Sequence, residues 1–244
     1  TKLIGAFIFM AIIAGIVGGV GYFSLTSVSA TYNDISENRL TSVYQLGIIN
    51  EAQTAIDSGE NALLSRELDM QGRQEQYARI TAAWKRADDA WQVYEPLPQT
   101  KEEENFWKQF VPAWNAWKLD HQAYMKMSQD YDKAMEAKQN TDELYTKMSN
   151  QALDVNPVSF GKAETLLGQV VTANITEAVN RDKEADQQSG TAQATLIGAI
   201  VTAVIVAVGF GVFLSRSITG PLGQAVGMIQ EMSKGHLGGR LRMD

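Results

Sequence analysis

The sequence predicts an all-α protein: an antiparallel up-down-up-down four-helix bundle continuous with two membrane-crossing helices. Three observations predict it. Two uncharged apolar runs, residues 3–23 and 195–214, sit near the ends of a 244-residue chain whose mean hydropathy is only −0.18. Between them, apolar side chains recur at alternating spacings of three and four, the signature of helices packed nearly side by side. No part of that stretch alternates with period two in β-branched residues, which argues against a sheet-rich domain.

At 1.5 Å per residue, the first run reaches about 30 Å as a helix, the thickness of a bilayer core. Val28-Ser29-Ala30 resembles a signal-cleavage site, but a signal core is only about 7–15 residues long, so an uncleaved span is expected. Gly15 and Gly19 form a small-xxx-small pair that lets two helix backbones approach closely in lipid. Five of the 21 basic and two of the 28 acidic residues lie outside the middle segment, leaving it 16 and 26, a formal −10. Both flanks are net positive, so the positive-inside rule puts the ends in the cytoplasm and the acidic middle outside. The expected division is span 1 over 1–28, outer bundle over 29–194, span 2 over 195–215 and a juxtamembrane segment over 216–244.

Within the outer segment the first helix is expected to continue from the span and end near Leu68-Asp69. A second runs from Gln71 to Tyr94, with Tyr77, Ile80, Trp84, Ala87, Trp91 and Tyr94 as its seam, and Glu95-Pro96-Leu97-Pro98 closes it. Thr100 with Glu103 is a capping box, and Glu102 and Glu104 suit the positive end of the helix dipole. The third helix carries Phe110, Trp114, Trp117, His121, Tyr124, Ser128, Tyr131 and Met135. Its length exceeds that of the second, so either one boundary is misplaced or the third helix is interrupted. Asn140 with Glu143 fits that role better than Pro112, which sits inside an unbroken aromatic stripe. Asp154, Asn156 and Pro157 read as the last turn. Ser159 then caps a fourth helix through Phe160, Leu167, Val171 and Ile175 into the second span.

Composition excludes several chemistries. With no cysteine there are no disulfides, thiolate metal sites or cysteine nucleophiles. Two distant histidines leave little for a catalytic triad or a His-based metal site. A pI near 5.0 without a basic stripe argues against nucleic acid. No catalytic residue, metal or cofactor is expected, and the chemistry is binding.

After the second span, Pro221 is placed to open a helix with an apolar seam at Leu222, Ala225, Ile229 and Met232, which Gly235 ends. Pro221-Leu222, about two heptads and then Gly235-His236-Leu237 resemble the first half of a HAMP domain. His236 stands where that family usually has an acidic residue. With two spans and a four-helix outer bundle, the chain resembles the sensing half of a methyl-accepting chemotaxis receptor. The resemblance implies a homodimer in the bacterial inner membrane with a periplasmic bundle that binds a small molecule such as an organic acid or amino acid. It also implies control of a histidine kinase through a coupling protein. The second HAMP helix and the methylated hairpin are not in these 244 residues. A sensor histidine kinase or cyclic-dinucleotide enzyme would carry the same input module, and a ligand-free structural membrane protein is a third reading.

A carboxylate ligand calls for arginine, whose planar fork binds it through two hydrogen bonds. Related bundles often hold ligands between subunits near the distal ends of the first and fourth helices, which singles out Arg66, Arg73 and Arg79. Surface pairing with Glu67, Asp69 or Glu75 is the alternative. Aromatics at heptad spacing belong first to the core, although Trp84 and Tyr124 each offer a donor to a ligand between helices. His121 reads as a partly buried core residue, and the methionines share no face that would bind copper.

Overall fold

A computed structural model describes residues 2–235, and every described element is helical. In chain order these are α1 (Lys2–Asn33), a π-turn (Asp34–Arg39), α2 (Leu40–Leu63), α3 (Met70–Tyr94), α4 (Lys101–Glu136), α5 (Asp142–Asn150), a second π-turn (Gln151–Val155) and α6 (Asn156–Ser233). Contacts divide the chain into two compact units, one of residues 31–183 and one of residues 1–30 with 184–244.

The first unit is a four-helix bundle. The expected seams face inward: Ile80, Ala87 and Tyr94 of α3 and Phe110, Trp114, Trp117, Tyr124 and Tyr131 of α4 are all buried. They meet Leu46, Ile49, Ile56 and Leu63 of α2 and Ala163, Leu167 and Val170 of α6 in one core. Aromatic rings make a continuous ladder along the α3–α4 interface, with Trp91 4.4 Å from Trp107 and Trp84 5.1 Å from Trp117 between centroids. Close packing fixes Gly59, because a Cβ there would lie 2.5 Å from Ile80 Cγ1.

Local chemistry sets the helix starts. The Thr100–Glu103 capping box is formed in both directions, with Glu102, Glu103 and Glu104 in the first turn of α4. The Asp69 side chain accepts from the Gly72 N–H and caps α3. Pro112 lies inside α4 without ending it.

Three expected boundaries are corrected. The first outer helix stops at Leu63 rather than near Leu68, because Leu64 and Ser65 turn back onto the Asn61 and Ala62 carbonyls. The last reversal lies at residues 137–141, not at Asp154–Pro157, so the fourth helix of the bundle begins with α5 at Asp142 instead of at Ser159. There Gln139 N–H reaches the Ala134 carbonyl and Lys138 N–H the Met135 carbonyl, a Schellman end to α4. Asn140 Oδ1 accepts from the Asp142 N–H. Asn140 therefore marks the turn between the third and fourth helices, not a break within the third. The Asp-Val-Asn-Pro stretch stays helical because Asn156 N–H bonds five residues back to Gln151. This wider turn accommodates the donor that Pro157 lacks. Pro221, the third correction, opens no new helix, since α6 continues through it to Ser233.

In the second unit, residues 4–23 of α1 and the α6 run around 195–214 are apolar on all sides and scarcely buried, with Phe7, Phe23, Ile205 and Phe213 exposed. Both helices are long and apolar enough to cross a membrane. They touch through Phe9 and Phe210, whose centroids are 4.8 Å apart, and through Gly21, whose Cβ position lies 3.4 Å from Leu196 Cδ2. Gly15 and Gly19 face open space, so the small-xxx-small pair does not make this contact. Leu222, Ile229 and Met232 are exposed, and Gly235 (φ +92°) follows the end of α6. His236 and Leu237 lie outside the described residues.

Lys138 sits at φ +52°, a left-handed conformation that costs a side-chain-bearing residue roughly 1–2 kcal/mol. Lys138→Gly is therefore expected to stabilise the bundle by about 0.5–1 kcal/mol after the entropy glycine adds to the unfolded chain. Gly59→Ala is expected to destabilise it by about 1–3 kcal/mol through overpacking against Ile80. Tryptophan fluorescence during denaturant unfolding reads both, since all five tryptophans lie in the bundle.

Candidate functional site

Three clusters of buried polar side chains cross the bundle, and two of them join all four of its helices. In the first, Glu60 of α2 is the hub. Its Oε1 pairs with His121 Nδ1 of α4, and its Oε2 accepts from Asn156 Nδ2 of α6 at 2.8 Å. Its backbone carbonyl accepts from the Tyr124 hydroxyl at 2.7 Å. Trp84 Nε1 of α3 donates to His121 Nε2 at 2.9 Å. An indole N–H can only donate, so His121 Nε2 accepts and the imidazole proton sits on Nδ1 toward Glu60. Trp84, His121, Glu60 and Asn156 thus form one hydrogen-bonded chain through four helices. Burial and then the Glu60 charge push the Tyr124 phenol far above its usual pKa.

Glu103 is the second hub. Oε1 accepts from Tyr94 Oη at 2.6 Å and from Asn174 Nδ2 at 2.7 Å. Oε2 accepts from Arg39 Nη1 at 3.1 Å and from the Thr100 N–H at 3.2 Å. Its donors come from the first π-turn, α3, the loop before α4, and α6. Burial, then the bond to Glu103, raises the Tyr94 phenol strongly.

The third cluster binds Arg73 to Asp132. The buried guanidinium pairs through Nε with Asp132 Oδ1, and donates to the Leu63 carbonyl at 2.6 Å and to Ser128 Oγ at 2.7 Å. The Tyr77 hydroxyl donates to Asp132 Oδ2 at 2.6 Å. Burial raises the Tyr77 phenol, and its bond to Asp132 adds to that.

The structure separates the residues singled out from the sequence. Arg73 turns inward and is fully engaged by its own chain. Arg66 is exposed, pairs with Asp142 at 3.2 Å and lies 3.9 Å from the centroid of the Tyr145 ring. Arg79 is exposed on α3. Trp84 and Tyr124 meet through the Glu60 cluster, and Tyr124 also lies close enough to Arg73 and Ser128 to link that cluster to the Arg73 one. His121 is buried as expected, but as the middle of a hydrogen-bonded relay. Among the described residues no group of acidic or imidazole side chains is arranged to hold a metal ion.

Glu60, Asn156 and Asn174 were not singled out from the sequence, and their signal is heptad phase. Glu60 follows Leu46 and Gln53 at steps of seven; Asn174 follows Phe160 and Leu167 likewise; Asn156 precedes Ala163 and Val170 at the same step. Polar residues in the apolar phase of a helix mark buried polar layers.

An all-α bundle with buried polar layers and two helices long and apolar enough to cross a membrane has the architecture of a sensory input module. The model of the four-helix bundle sensory module for signal transduction matches residues 1–189, and the chain belongs to that family, the sensory module of methyl-accepting chemotaxis proteins. No curated protein and no solved structure matches the chain.

Removing one partner of a buried ion pair strands the other charge. Asp132→Ala is therefore expected to destabilise the bundle by about 3–5 kcal/mol, and pairing Asp132→Leu with Arg73→Met to restore most of that. Denaturant melts of the three proteins check it. Burial raises the Asp57 carboxyl pKa, with the charges of Glu60 and Glu164 adding to the effect and the Asn61 amide opposing it. A raised carboxyl favours the folded state only below its unfolded pKa of 3.8, and that contribution is lost as pH rises through the folded value. Asp57→Asn should therefore raise the melting midpoint at pH 7 and leave it unchanged near pH 3.

Proposed function

We propose that this protein is a transmembrane chemoreceptor that senses a small molecule outside the inner membrane with its four-helix bundle. It relays occupancy through α6 to a HAMP-type helix and a cytoplasmic module controlling chemotaxis. The observation that carries the reading is α6 itself. One uninterrupted helix holds Asn156 and Asn174, which close two buried polar layers, and the apolar run around 195–214. A change in either layer therefore acts on the same helix that carries the apolar run.

On this reading the division is span 1 at 1–28, periplasmic bundle at 29–194, span 2 at 195–215 and the start of HAMP at 216–244. The seam at Leu222, Ile229 and Met232 then packs against a second copy, as does the open Gly15–Gly19 face. A histidine kinase and its coupling protein act through the cytoplasmic part. A ligand that binds one packing of the bundle a hundredfold more tightly supplies about 2.7 kcal/mol, enough to move a balanced equilibrium. Interface shifts of this kind are about 1–2 Å.

The absence of cysteine makes the test direct. In membranes, the double variant Gly21→Cys with Leu196→Cys is expected to form an intrachain disulfide between its two spans. The rate of that reaction should change at least about twofold on adding a ligand that stabilises the bundle. Gly15→Cys alone is expected to cross-link two copies. A stabilising ligand that left the intrachain rate of the double variant unchanged would remove the relay.

A further inference from the structure

Between α3 and α4 the bundle leaves a cleft of about 420 Å³, within the range of small-molecule sites. Its walls include the indoles of Trp91 and Trp114, the carboxylates of Asp88 and Glu95, the Asn115 amide and a single cation, Lys118. The Lys118 ammonium lies 4.7 Å from the centroid of the Trp84 ring and 3.8 Å from Asp88 Oδ1. The chain has placed its own cation on an indole face beside a carboxylate.

That arrangement specifies a ligand chemistry. Indole faces attract cations through their quadrupole, most strongly when the cation sheds little water. A lysine ammonium is compact and strongly hydrated. An alkylated ammonium is less hydrated and covers more of the ring. The ion pair that holds Lys118 is half exposed at both ends and worth little, so Lys118 is readily displaced. The acidic outer segment adds a field that concentrates cations.

We infer that this cleft binds a small organic cation, an alkylammonium or quaternary ammonium compound, which takes the place of Lys118 at the Asp88 end of the cleft, over the adjoining Trp84 ring. The inference rests on the sensor reading and names its ligand class. Trp84 also joins the site to the relay. Its ring face meets the ligand while its N–H holds His121, and through Glu60 that chain ends on Asn156 at the start of α6.

The test uses the full chain in nanodiscs, with choline and tetramethylammonium as probes and 3,3-dimethylbutanol as the neutral isostere of choline. Tryptophan fluorescence and calorimetry follow binding at constant ionic strength. Both cations are expected to bind saturably and the neutral isostere at least tenfold more weakly, a ratio of about 1.4 kcal/mol. Lys118→Ala removes the internal competitor and should tighten choline about threefold or more, whereas Asp88→Asn and Trp84→Phe should each weaken it severalfold. The inference is overturned if the cations do not bind, if the isostere binds equally well, or if Lys118→Ala leaves choline affinity unchanged or lower. The two readings fail separately. Choline that binds without altering the intrachain cross-linking of the double-cysteine variant leaves the cleft standing and removes the relay. Another ligand that alters that cross-linking while choline fails to bind removes the cleft assignment alone.

Discussion

A carboxylate taken out of water must have its lone pairs matched by donors, because an unmatched buried charge costs several kcal/mol. Glu60 and Glu103 are almost completely buried, and each meets this requirement with donors drawn from different helices. Most of the bundle's geometry follows. Apolar seams bring four helices together but tolerate a slide or small rotation, since one methyl contact substitutes for another. A carboxylate that accepts from Tyr94, Asn174, Arg39 and Thr100 does not, because each bond fails beyond a few tenths of an ångström. The two glutamates set the register, and the aromatic ladder fills the space that register leaves.

The π-turns are the backbone's part in this arrangement. Each adds a residue to a helical turn and so changes which side chains face inward after it. The turn at Asp34–Arg39 delivers Arg39 to Glu103, and the turn at Gln151–Val155 delivers Asn156 to Glu60. Both occur on the two helices that also contain the apolar runs. The same widening carries Pro157 within a continuous helix, which is why a sequence resembling a turn is not one.

What was legible in the sequence divides along the same physical line. The α3 and α4 seams, the Thr100 cap and both apolar runs were readable because each depends on residues a few positions apart. Asp154-Val-Asn-Pro and Ser-Ile-Thr-Gly-Pro221 misled for the opposite reason. Their local preference is for a break, and i→i+5 bonding in the first keeps the helix intact. Arg73 shows the limit for sites. An arginine beside Glu75 and Asp69 reads as a ligand contact or a surface pair, and only the fold brings Asp132 and Ser128, more than fifty residues away, onto its guanidinium. Glu60 and Asn174 were visible in principle from their heptad phase, but their partners on the facing helices were not.

Polar layers also bear on how a bundle of this kind responds to a ligand. Moving α6 along its axis by about 1–2 Å would carry Asn174 Nδ2, now 2.7 Å from Glu103, beyond hydrogen-bonding distance and leave the carboxylate short of a donor. Small displacements are therefore penalised at once, and a different packing becomes favourable only where new donors replace the old. A landscape of that form has discrete wells rather than a continuous slope. On the proposed sensing role, the bundle would resist thermal jostling of its apolar contacts and yield to a ligand whose preference for the second well exceeds the underlying difference in free energy between the two. On the proposed relay, in which one helix carries both those layers and an apolar run, such all-or-none behaviour is what would separate a signal from noise.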